Sequence, residues 1–233
     1  MKLSKKEQRL RDISWIDYTN FRMTEAQLRE ILEAAGALWL HSGDPKAPHA
    51  ELTSGKHSDG FVDVLRALQY SGICYAAGKA LAAKIRDEYK GDIDWVVGSD
   101  HAGAVFSQNV AVWLGAKHDF TEKGSDKSQL WKRLNIKEGE VVLQVEELMT
   151  TALTFNEVRK GIREGNGAPV TFAPVAGVLV HRSDVWQIED TKIVPFVHYD
   201  IKVWEPDRCP LCIGGSEVIS EPKKNWAKLT GKS

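Results

Sequence analysis

The chain has 233 residues, with 31 lysines and arginines against 32 aspartates and glutamates, so its formal net charge is -1. A nearly neutral chain argues against a nucleic-acid binder that relies on bulk positive charge. Hydrophobic residues make up 42% and charged residues 27% of the sequence, which is ordinary globular usage and excludes a disordered or collagen-like chain. The length suits one large domain, or one domain with a small accessory part.

Targeting and membrane signals are not evident in the sequence. The N-terminal stretch MKLSKKEQRL lacks the apolar segment of a secretory signal, and no stretch approaches the roughly 18 uninterrupted apolar residues of a membrane helix. Three cysteines are too few for a disulfide framework in a chain of this size, which fits a reducing compartment. We therefore expect a cytoplasmic protein that binds neither a membrane nor nucleic acid.

The first half of the chain begins with a predicted N-terminal extension over residues 1–22, rich in lysine, arginine and aspartate. A capping box at Thr24 and Gln27 then opens a first helix, which Gly36 ends. Loop and turn residues dominate from 42 to 59, a short apolar segment covers 61–68, and an alanine-rich second helix is predicted over about 72–89.

The second half of the chain alternates short strands with helices. Strands are predicted over 92–98, 140–148 and 175–182, and helices over 104–115 and 152–165. This alternation is typical of βαβ crossovers and predicts an α/β fold with a mainly parallel sheet. Ligands of such sheets bind at the carboxyl ends of the strands, so the turns after Val97 and Val145 are predicted to hold the functional site.

The most informative segment is VVLQVEELMTTALT, residues 141–154. A hydrophobic strand ends in two adjacent carboxylates, Glu146 and Glu147, and threonines follow where a helix starts. Backbone N–H groups at a helix start, helped by threonine hydroxyls, can hold a phosphate, and the carboxylates could bind sugar hydroxyls or a Mg2+ that a polyphosphate brings. The structural alternative is that both glutamates cap the following helix and that Thr150 and Thr151 are N-cap residues.

Four segments together resemble the orotate phosphoribosyltransferases, which are type I phosphoribosyltransferases. VLQVEELMTT resembles the phosphoribosyl-diphosphate motif of the family, and LTSGKHSD at 52–59, continuing through 68–70, resembles its amino-terminal hood. The stretch 120–140 resembles its mobile basic loop, and RCPLCIGG resembles the CPLC tail of one branch. The four segments stand in the family's order and together span roughly residues 30–222.

The resemblance implies the type I phosphoribosyltransferase fold, a mainly parallel twisted sheet flanked by helices with a small hood. It predicts a single domain over 23–233, with the hood at about 23–70 plus 195–222 and the core at about 71–194.

The resemblance also implies an activity. Phosphoribosyl would pass from 5-phosphoribosyl 1-diphosphate to orotate, which gives orotidine 5'-monophosphate and diphosphate in pyrimidine nucleotide biosynthesis. Mg2+ is the implied cofactor, and a homodimer is the implied assembly. The alternative is a catalytically impaired homologue that acts as a nucleotide-binding or regulatory protein, and a transferase for another base is a third reading.

Carried over position by position, the resemblance assigns a role to each site residue. Glu146 and Glu147 take the ribose-hydroxyl role and lie close to the Mg2+ that the diphosphate holds. The diphosphate would be met by the basic loop, with Lys123, Lys127 and, as a further candidate, Arg133, and by the diphosphate turn, with Ser99, His101 and Gly103. The 5'-phosphate cradle would consist of Thr150, Thr151, Ala152 and Thr154. The base would be bound by the hood residues Ser54, Lys56, Ser58 and Phe61, with Phe61 lining the base pocket, and by Arg182, which would clamp the orotate carboxylate.

The phosphoribosyl-diphosphate motif departs from the family's pattern at three positions, and the diphosphate turn departs at Ser99, Asp100 and His101. Glu147 stands where the family usually has aspartate, and Ala152 and Leu153 stand where it usually has glycines. A left-handed backbone at an L-residue costs about 1–2 kcal/mol, and the Leu153 side chain is expected to add volume beside the phosphate. Asp100 brings a negative charge into the diphosphate turn. These departures predict weakened affinity for phosphoribosyl diphosphate.

Cys209 and Cys212, as Cys-Pro-Leu-Cys, have the spacing of metal ligands. A zinc site needs four ligands and no second Cys-x-x-Cys exists, so His198 or His181 would have to contribute. A redox pair and a tight structural turn are the alternatives, and the structural turn is preferred.

Three other histidines have no partner at helical spacing: His57, His101 and His118. Each is predicted to be a satisfied surface or turn residue. His101 is the best placed for a function, because it lies in the diphosphate turn.

Overall fold

The computed structural model describes Lys5, residues 21–126 and residues 128–231, so most of the predicted N-terminal extension and Lys127 lie outside the described residues. The chain divides into two compact units. The core unit contains the residues up to Glu30 together with Leu68–Tyr199, and the hood unit contains Ile31–Ala67 together with the residues from Asp200 onwards. The single domain over 23–233, with its hood and core boundaries, stays a prediction.

The described residues contain seven α-helices, one short 3-10 helix and fifteen strands. In chain order they are α1 Glu25–Ala34, β1 Leu38–Leu40, β2 His49–Glu51, β3 His57–Ser58, β4 Gly60–Val62, α2 Leu65–Leu68, α3 Ser71–Glu88, β5 Trp95–Gly98, α4 Ala102–Leu114, β6 Lys117–Phe120, β7 Glu122–Lys123, β8 Gln129–Leu130, β9 Val141–Met149, α5 Leu153–Gly165, β10 Thr171–Phe172, β11 Val175–His181, β12 Gln187–Ile188, β13 Thr191–His198, β14 Val203–Trp204, the 3-10 helix Pro206–Arg208, α6 Pro210–Ile213, β15 Val218–Ile219 and α7 Trp226–Thr230.

A seven-stranded sheet forms the centre of the core unit. Its strand order is β12-β13-β11-β9-β5-β6, with β10 paired to β9. The pairs β13–β11, β11–β9, β9–β5, β5–β6 and β9–β10 are parallel, and only β12–β13 is antiparallel. The strands β9 and β11 are buried almost throughout, as strands covered on both faces must be. The predicted α/β fold with a mainly parallel sheet is confirmed.

The predicted capping box at the start of α1 is confirmed. The Thr24 N–H donates to Gln27 Oε1 at 2.8 Å, and the Gln27 N–H donates to Thr24 Oγ1 at 3.2 Å, which satisfies two donors that the helix leaves unpaired. Gly36, at φ 62, ends this helix in the left-handed conformation that glycine adopts without strain.

Two predicted boundaries differ from the structure. Strand β9 continues to Met149, so the turn predicted after Val145 begins only after Met149, while Glu146 and Glu147 lie within the strand as predicted. The apolar segment over 61–68 is shared between β4 and the short helix α2, because the chain turns between them at residues 63 and 64.

The hood unit is held together by strands from two distant parts of the chain. Its four-stranded sheet has the order β14-β3-β2-β15, so the two C-terminal strands occupy its edges and the β2–β3 hairpin its centre. Strands β1 and β4 form a separate antiparallel pair. Buried side chains from both chain segments form its core: Ala50, Phe61, Ile219 and Leu229.

Candidate active site

Glu146 is the most buried carboxylate of the core unit's sheet. It lies on β9, is 3% exposed, and accepts hydrogen bonds from the Ser99 hydroxyl at 2.6 Å and from Gln144 Nε2 at 3.3 Å. The N-cap of α5 is Ala152, whose side chain makes no capping hydrogen bond, and Glu146 and Glu147 lie within β9. The structural alternative, in which Thr150 and Thr151 are the N-cap residues, is therefore wrong, although the Thr151 hydroxyl accepts from the N–H of Leu153, the first residue of the helix.

The Glu146 carboxyl has an unusual proton affinity. Burial, followed by repulsion from the Glu147 carboxylate, raises the pKa of Glu146 to about 8. The hydrogen bonds from Ser99 and Gln144 act in the opposite direction but are the smaller effects. At neutral pH this carboxyl is therefore largely protonated, and a cation that approached it would favour the ionised form.

Gly103 allows the carboxylates to meet the start of helix α4. A Cβ atom at this position would lie 2.5 Å from Ser99 Oγ, 3.1 Å from Glu146 Oε2 and 3.4 Å from Glu147 Oε2. Any side chain here would fill the space between β5, β9 and the helix. The structure thus brings together four of the predicted site residues at the carboxyl edge of the sheet, beside the positive end of a helix dipole.

The Asp100 carboxylate is held by Gln129, the first residue of strand β8. The Asp100 Oδ1 accepts a hydrogen bond from Gln129 Nε2 at 3.0 Å, and the Thr121 hydroxyl donates to Gln129 Oε1 at 2.7 Å. Gln129 is a site neighbour that the sequence did not reveal. A glutamine within a polar segment carries no periodic signal, and only the fold shows that it is buried.

Backbone strain in the site lies at His101. This residue is exposed and has φ 63 and ψ −108, a conformation that L-residues rarely adopt. Ala152 instead has φ −79, so the left-handed strain expected at the phosphate motif is absent from Ala152. Among the described residues, Leu153 is likewise not one of those with a positive φ.

The turn after β9 is open to solvent. The Leu153 side chain is 72% exposed, and its expected crowding of a phosphate stays a prediction. Thr151 and Thr154 are exposed and Thr150 is half-buried. The Leu153 N–H donates to Thr151 Oγ1 at 3.4 Å, which orders the turn without closing it.

The basic loop is fixed at one end. Lys123 is exposed on β7, and Arg133 is exposed and pairs with Glu122 at 3.0 Å. Trp131 is buried in an apolar cluster with β5, β9 and α5 residues, and a Cβ atom on Gly161 would lie only 1.9 Å from the Gln129 carbonyl oxygen. Helix α5 therefore supports the second strand of the loop through a backbone contact that glycine permits.

Arg182 follows β11 at the same edge of the sheet. Its N–H donates to the Met149 carbonyl at 2.9 Å, which places it beside the end of β9. Its Nε atom is buried and has no hydrogen-bond partner among the described residues, and burial lowers the pKa of the guanidinium. A buried donor without a partner is costly, so this position favours an anionic ligand.

The predicted hood residues lie in two environments. Ser54 is exposed, and Lys56 is exposed and pairs with Glu205 at 2.7 Å. Ser58 is buried, with its hydroxyl 2.9 Å from the carbonyl oxygens of Gly60 and Lys202. Phe61 packs in the apolar core of the hood, and its contact with a base stays a prediction.

Two expectations about histidines are wrong. His57 is not a surface or turn residue, because it is buried on β3 with its Nδ1 3.2 Å from His49 Nε2 and 3.1 Å from Cys212 Sγ. His181 and His198 do not accompany the cysteines; their Nδ1 atoms lie 3.0 Å from each other. The strand pairing that brings these histidines together is not visible in the sequence spacing.

Comparison with known proteins identifies the family. The chain is 32% identical over 178 residues to an orotate phosphoribosyltransferase of Thermoanaerobacter sp., an alignment that covers 76% of this chain and 90% of the relative. The chain belongs to the orotate phosphoribosyltransferase family. No family model matches it.

Solved structures show the same fold. An orotate phosphoribosyltransferase of Aeropyrum pernix superposes with a TM-score of 0.54 at 19% identity and covers 73% of this chain and 93% of its own. A Leishmania donovani UMP synthase superposes with a TM-score of 0.56 at 16% identity over 76% of this chain, which corresponds to 36% of that larger chain. The type I phosphoribosyltransferase fold is thereby confirmed. Among the described residues, no helix has the length and apolarity to cross a membrane.

Proposed function

We propose that this protein transfers phosphoribosyl from 5-phosphoribosyl 1-diphosphate to orotate and releases orotidine 5'-monophosphate and diphosphate. The observation that carries the proposal is the convergence of Glu146 and Glu147 on Gly103, at the carboxyl edge of a parallel sheet in a chain of this family. The Thermoanaerobacter relative that is 32% identical bears the name of this enzyme.

The chemistry requires no nucleophile from the protein. Orotate nitrogen attacks C1' of the ribose as the bond to diphosphate breaks, through a transition state with oxocarbenium character. Positioning and electrostatic stabilisation supply the rate in such a reaction. Glu147, half-buried, and Glu146, buried, offer carboxylate oxygens to the ribose hydroxyls.

Mg2+ is the proposed cofactor, because the donor set suits it. Glu146 and Glu147 present adjacent carboxylate oxygens, which are the ligands that this hard cation prefers. Bound with the diphosphate, Mg2+ would neutralise charge on the leaving group. The exposed Lys123 is proposed to add positive charge on the same group.

The 5'-phosphate and the orotate base are proposed to bind to different side chains. The open turn with Thr150, Thr151 and Thr154 is proposed to receive the 5'-phosphate, and Arg182 the orotate carboxylate. A catalytically impaired regulator is not favoured, since the Thermoanaerobacter relative bears the name of the enzyme and the Ala152 backbone is not left-handed. A cytoplasmic homodimer is part of the same proposal.

The test is the fall in orotate absorbance after addition of phosphoribosyl diphosphate and Mg2+. We expect turnover by the wild-type chain and a loss of at least about 100-fold in a Glu146→Ala, Glu147→Ala double variant, because transition-state contacts of this kind contribute several kcal/mol. A Glu138→Ala variant, changed at an exposed loop position, serves as the control. Equal rates in the double variant and the control would contradict the proposed roles.

Arg182→Met tests the base site separately. Loss of a charge-assisted hydrogen bond to a carboxylate costs about 1.5–3 kcal/mol, so KM for orotate should rise about 10–100-fold while KM for phosphoribosyl diphosphate changes little. Arg86→Met is the matched control, because Arg86 lies in the last turn of α3, where its side chain donates to the Gly91 carbonyl. A rise in both KM values alike would place Arg182 outside the base site.

A further inference from the structure

Four metal-binding side chains of the hood unit form one compact group, here called the cysteine–histidine cluster: His49, His57, Cys209 and Cys212. Their ligand atoms all lie within 4.8 Å of one another. The two histidines come from strands β2 and β3, and the cysteines flank Pro210 and Leu211 at the start of α6. Three ligands are buried and Cys212 is half-buried, so the group is closed to solvent on most sides.

Four of the six distances between ligand atoms of the cluster are close to those of tetrahedral zinc, and the other two are at most 4.8 Å. Bonds of about 2.3 Å to sulfur and about 2.0–2.1 Å to nitrogen imply separations of about 3.3–3.8 Å between ligand atoms. The two histidine nitrogens are 3.2 Å apart, and His49 Nε2 lies 3.6 Å from Cys209 Sγ and 3.4 Å from Cys212 Sγ. His57 Nδ1 lies 3.1 Å from Cys212 Sγ, slightly closer than zinc would hold it.

A hydrogen bond to Ser216, which is not a member of the cluster, fixes the orientation of the His49 ring. The Ser216 hydroxyl donates to the Ala47 carbonyl at 2.6 Å, so its oxygen is free to accept from His49 Nδ1 at 2.7 Å. This arrangement places the ring proton on Nδ1 and leaves the Nε2 lone pair directed at the cysteines. Metal-binding histidines are held in this way by a partner of the second ring nitrogen.

The chemistry of the four donors favours a metal site over a redox pair or a purely structural turn at Cys-Pro-Leu-Cys. Both cysteines are free thiols, and a redox pair has no need of two buried imidazoles directed at it. A purely structural turn would not require His49 to be fully buried with its ring aimed at sulfur. Two cysteines and two histidines form a complete ligand set for structural zinc, with no position left for water or substrate.

We propose that the hood unit binds one zinc ion through His49, His57, Cys209 and Cys212. The ligands lie up to 163 residues apart in the chain, so the ion would join the β2–β3 hairpin to the C-terminal segment that supplies β14 and β15. A metal that closes so long a loop stabilises the folded state strongly. The site is independent of the transferase reaction and is a structural one.

The test begins with the metal content of the full chain, purified without chelator or added metal and measured by inductively coupled plasma mass spectrometry. We expect one zinc per chain in the wild type and in Cys74→Ala, a control that removes the third cysteine, which lies in α3 of the core unit. Cys209→Ser with Cys212→Ser should lower the content at least tenfold. A wild-type content below one-tenth of a zinc, with no uptake of added Zn2+, would overturn the proposal, as would one equivalent of iron in its place.

A second measurement covers the case in which the double variant fails to fold. The wild-type chain, stripped by a chelator and reloaded with Co2+, should show the visible absorption of tetrahedral cobalt with thiolate ligands at one equivalent. The two cluster thiols should react with a thiol reagent at least tenfold faster in the stripped protein than in the zinc-loaded protein. Equal thiol reactivity and the pale spectrum of octahedral cobalt would contradict the assignment.

Discussion

At the scale of single residues, the raised pKa of Glu146 makes the stability of the folded chain depend on pH. A carboxyl whose pKa is about 8 in the folded chain, against an ordinary 4.5, binds more protons when folded than when unfolded. The free energy of unfolding must therefore fall as pH rises between these two values, and the effect is complete above the higher one. The raised pKa of Glu146 is caused first by burial of its side chain and second by repulsion from the Glu147 carboxylate.

Glu146→Gln should remove this pH dependence. Each unit of pKa shift is worth about 1.4 kcal/mol, so the variant should gain about 2–5 kcal/mol relative to wild type between pH 5 and pH 8.5 in the absence of ligands. Urea denaturation at the two pH values measures the difference. Glu138→Gln, at an exposed position, is the control and should show the same pH dependence as the wild type. If the free energy of unfolding of Glu146→Gln equals that of the wild type at both pH values, Glu146 is ionised in the folded chain.

His101 offers a second residue-scale prediction, because its positive φ reverses the usual ranking of alanine and glycine. Alanine is ordinarily more stable than glycine by about 0.5–1 kcal/mol, whereas here His101→Gly should be more stable than His101→Ala by about 1–2 kcal/mol. Chemical denaturation of the two variants compares them directly. If His101→Ala is as stable as His101→Gly, or more stable, the backbone of the turn is not strained at this position.

At the scale of elements, hydrophobic periodicity predicted the core strands β5, β9 and β11 and the helices α3, α4 and α5, because each buries one face or lies inside the sheet. The remaining strands of the central sheet, β6, β10, β12 and β13, were not predicted. The pairing of Glu146 with Ser99 and Gly103 depends on β9 lying beside β5, and the contact of Asp100 with Gln129 depends on how the β7–β8 loop packs. Neither is a local property of the sequence. His49 was likewise not predicted as a partner of the cysteines, because only the pairing of distant strands in the hood sheet brings them together.

The contact between the β7–β8 loop and helix α5 gives the prediction at this scale. Gly161→Ala would place a carbon 1.9 Å from the Gln129 carbonyl oxygen, so the loop must move away, at a cost of about 1–3 kcal/mol in the free energy of unfolding. Gly167→Ala, whose Cβ would meet only Asn135 Oδ1 at 3.4 Å, should stay within about 0.5 kcal/mol of wild type.

Limited proteolysis completes that comparison. Cleavage between residues 121 and 131 should be faster in Gly161→Ala than in Gly167→Ala, since only the first substitution displaces the backbone of β8. Equal stability and equal cleavage of the two variants would show that the contact does not hold the loop.

At the scale of the whole molecule, the order of four short motifs identified the family before any contact was known. The position of the motifs predicted that Glu146, Glu147 and the turn after β5 lie together at one edge of the sheet, and the structure brings them together there. The departure at Ala152 predicted a left-handed backbone that the structure does not contain, because Ala152 has φ −79. The sequence alone does not show the backbone conformation of a substituted residue.

The most direct test of the central claim is a single competition reaction. The chain is incubated with phosphoribosyl diphosphate, Mg2+ and equal concentrations of orotate, uracil, adenine and hypoxanthine, and the nucleotides formed are identified by mass spectrometry. We predict orotidine 5'-monophosphate as the dominant product, lost in the Glu146→Ala, Glu147→Ala variant. Formation of another nucleotide in its place, or of none by folded wild-type protein, would contradict the assignment as an orotate phosphoribosyltransferase.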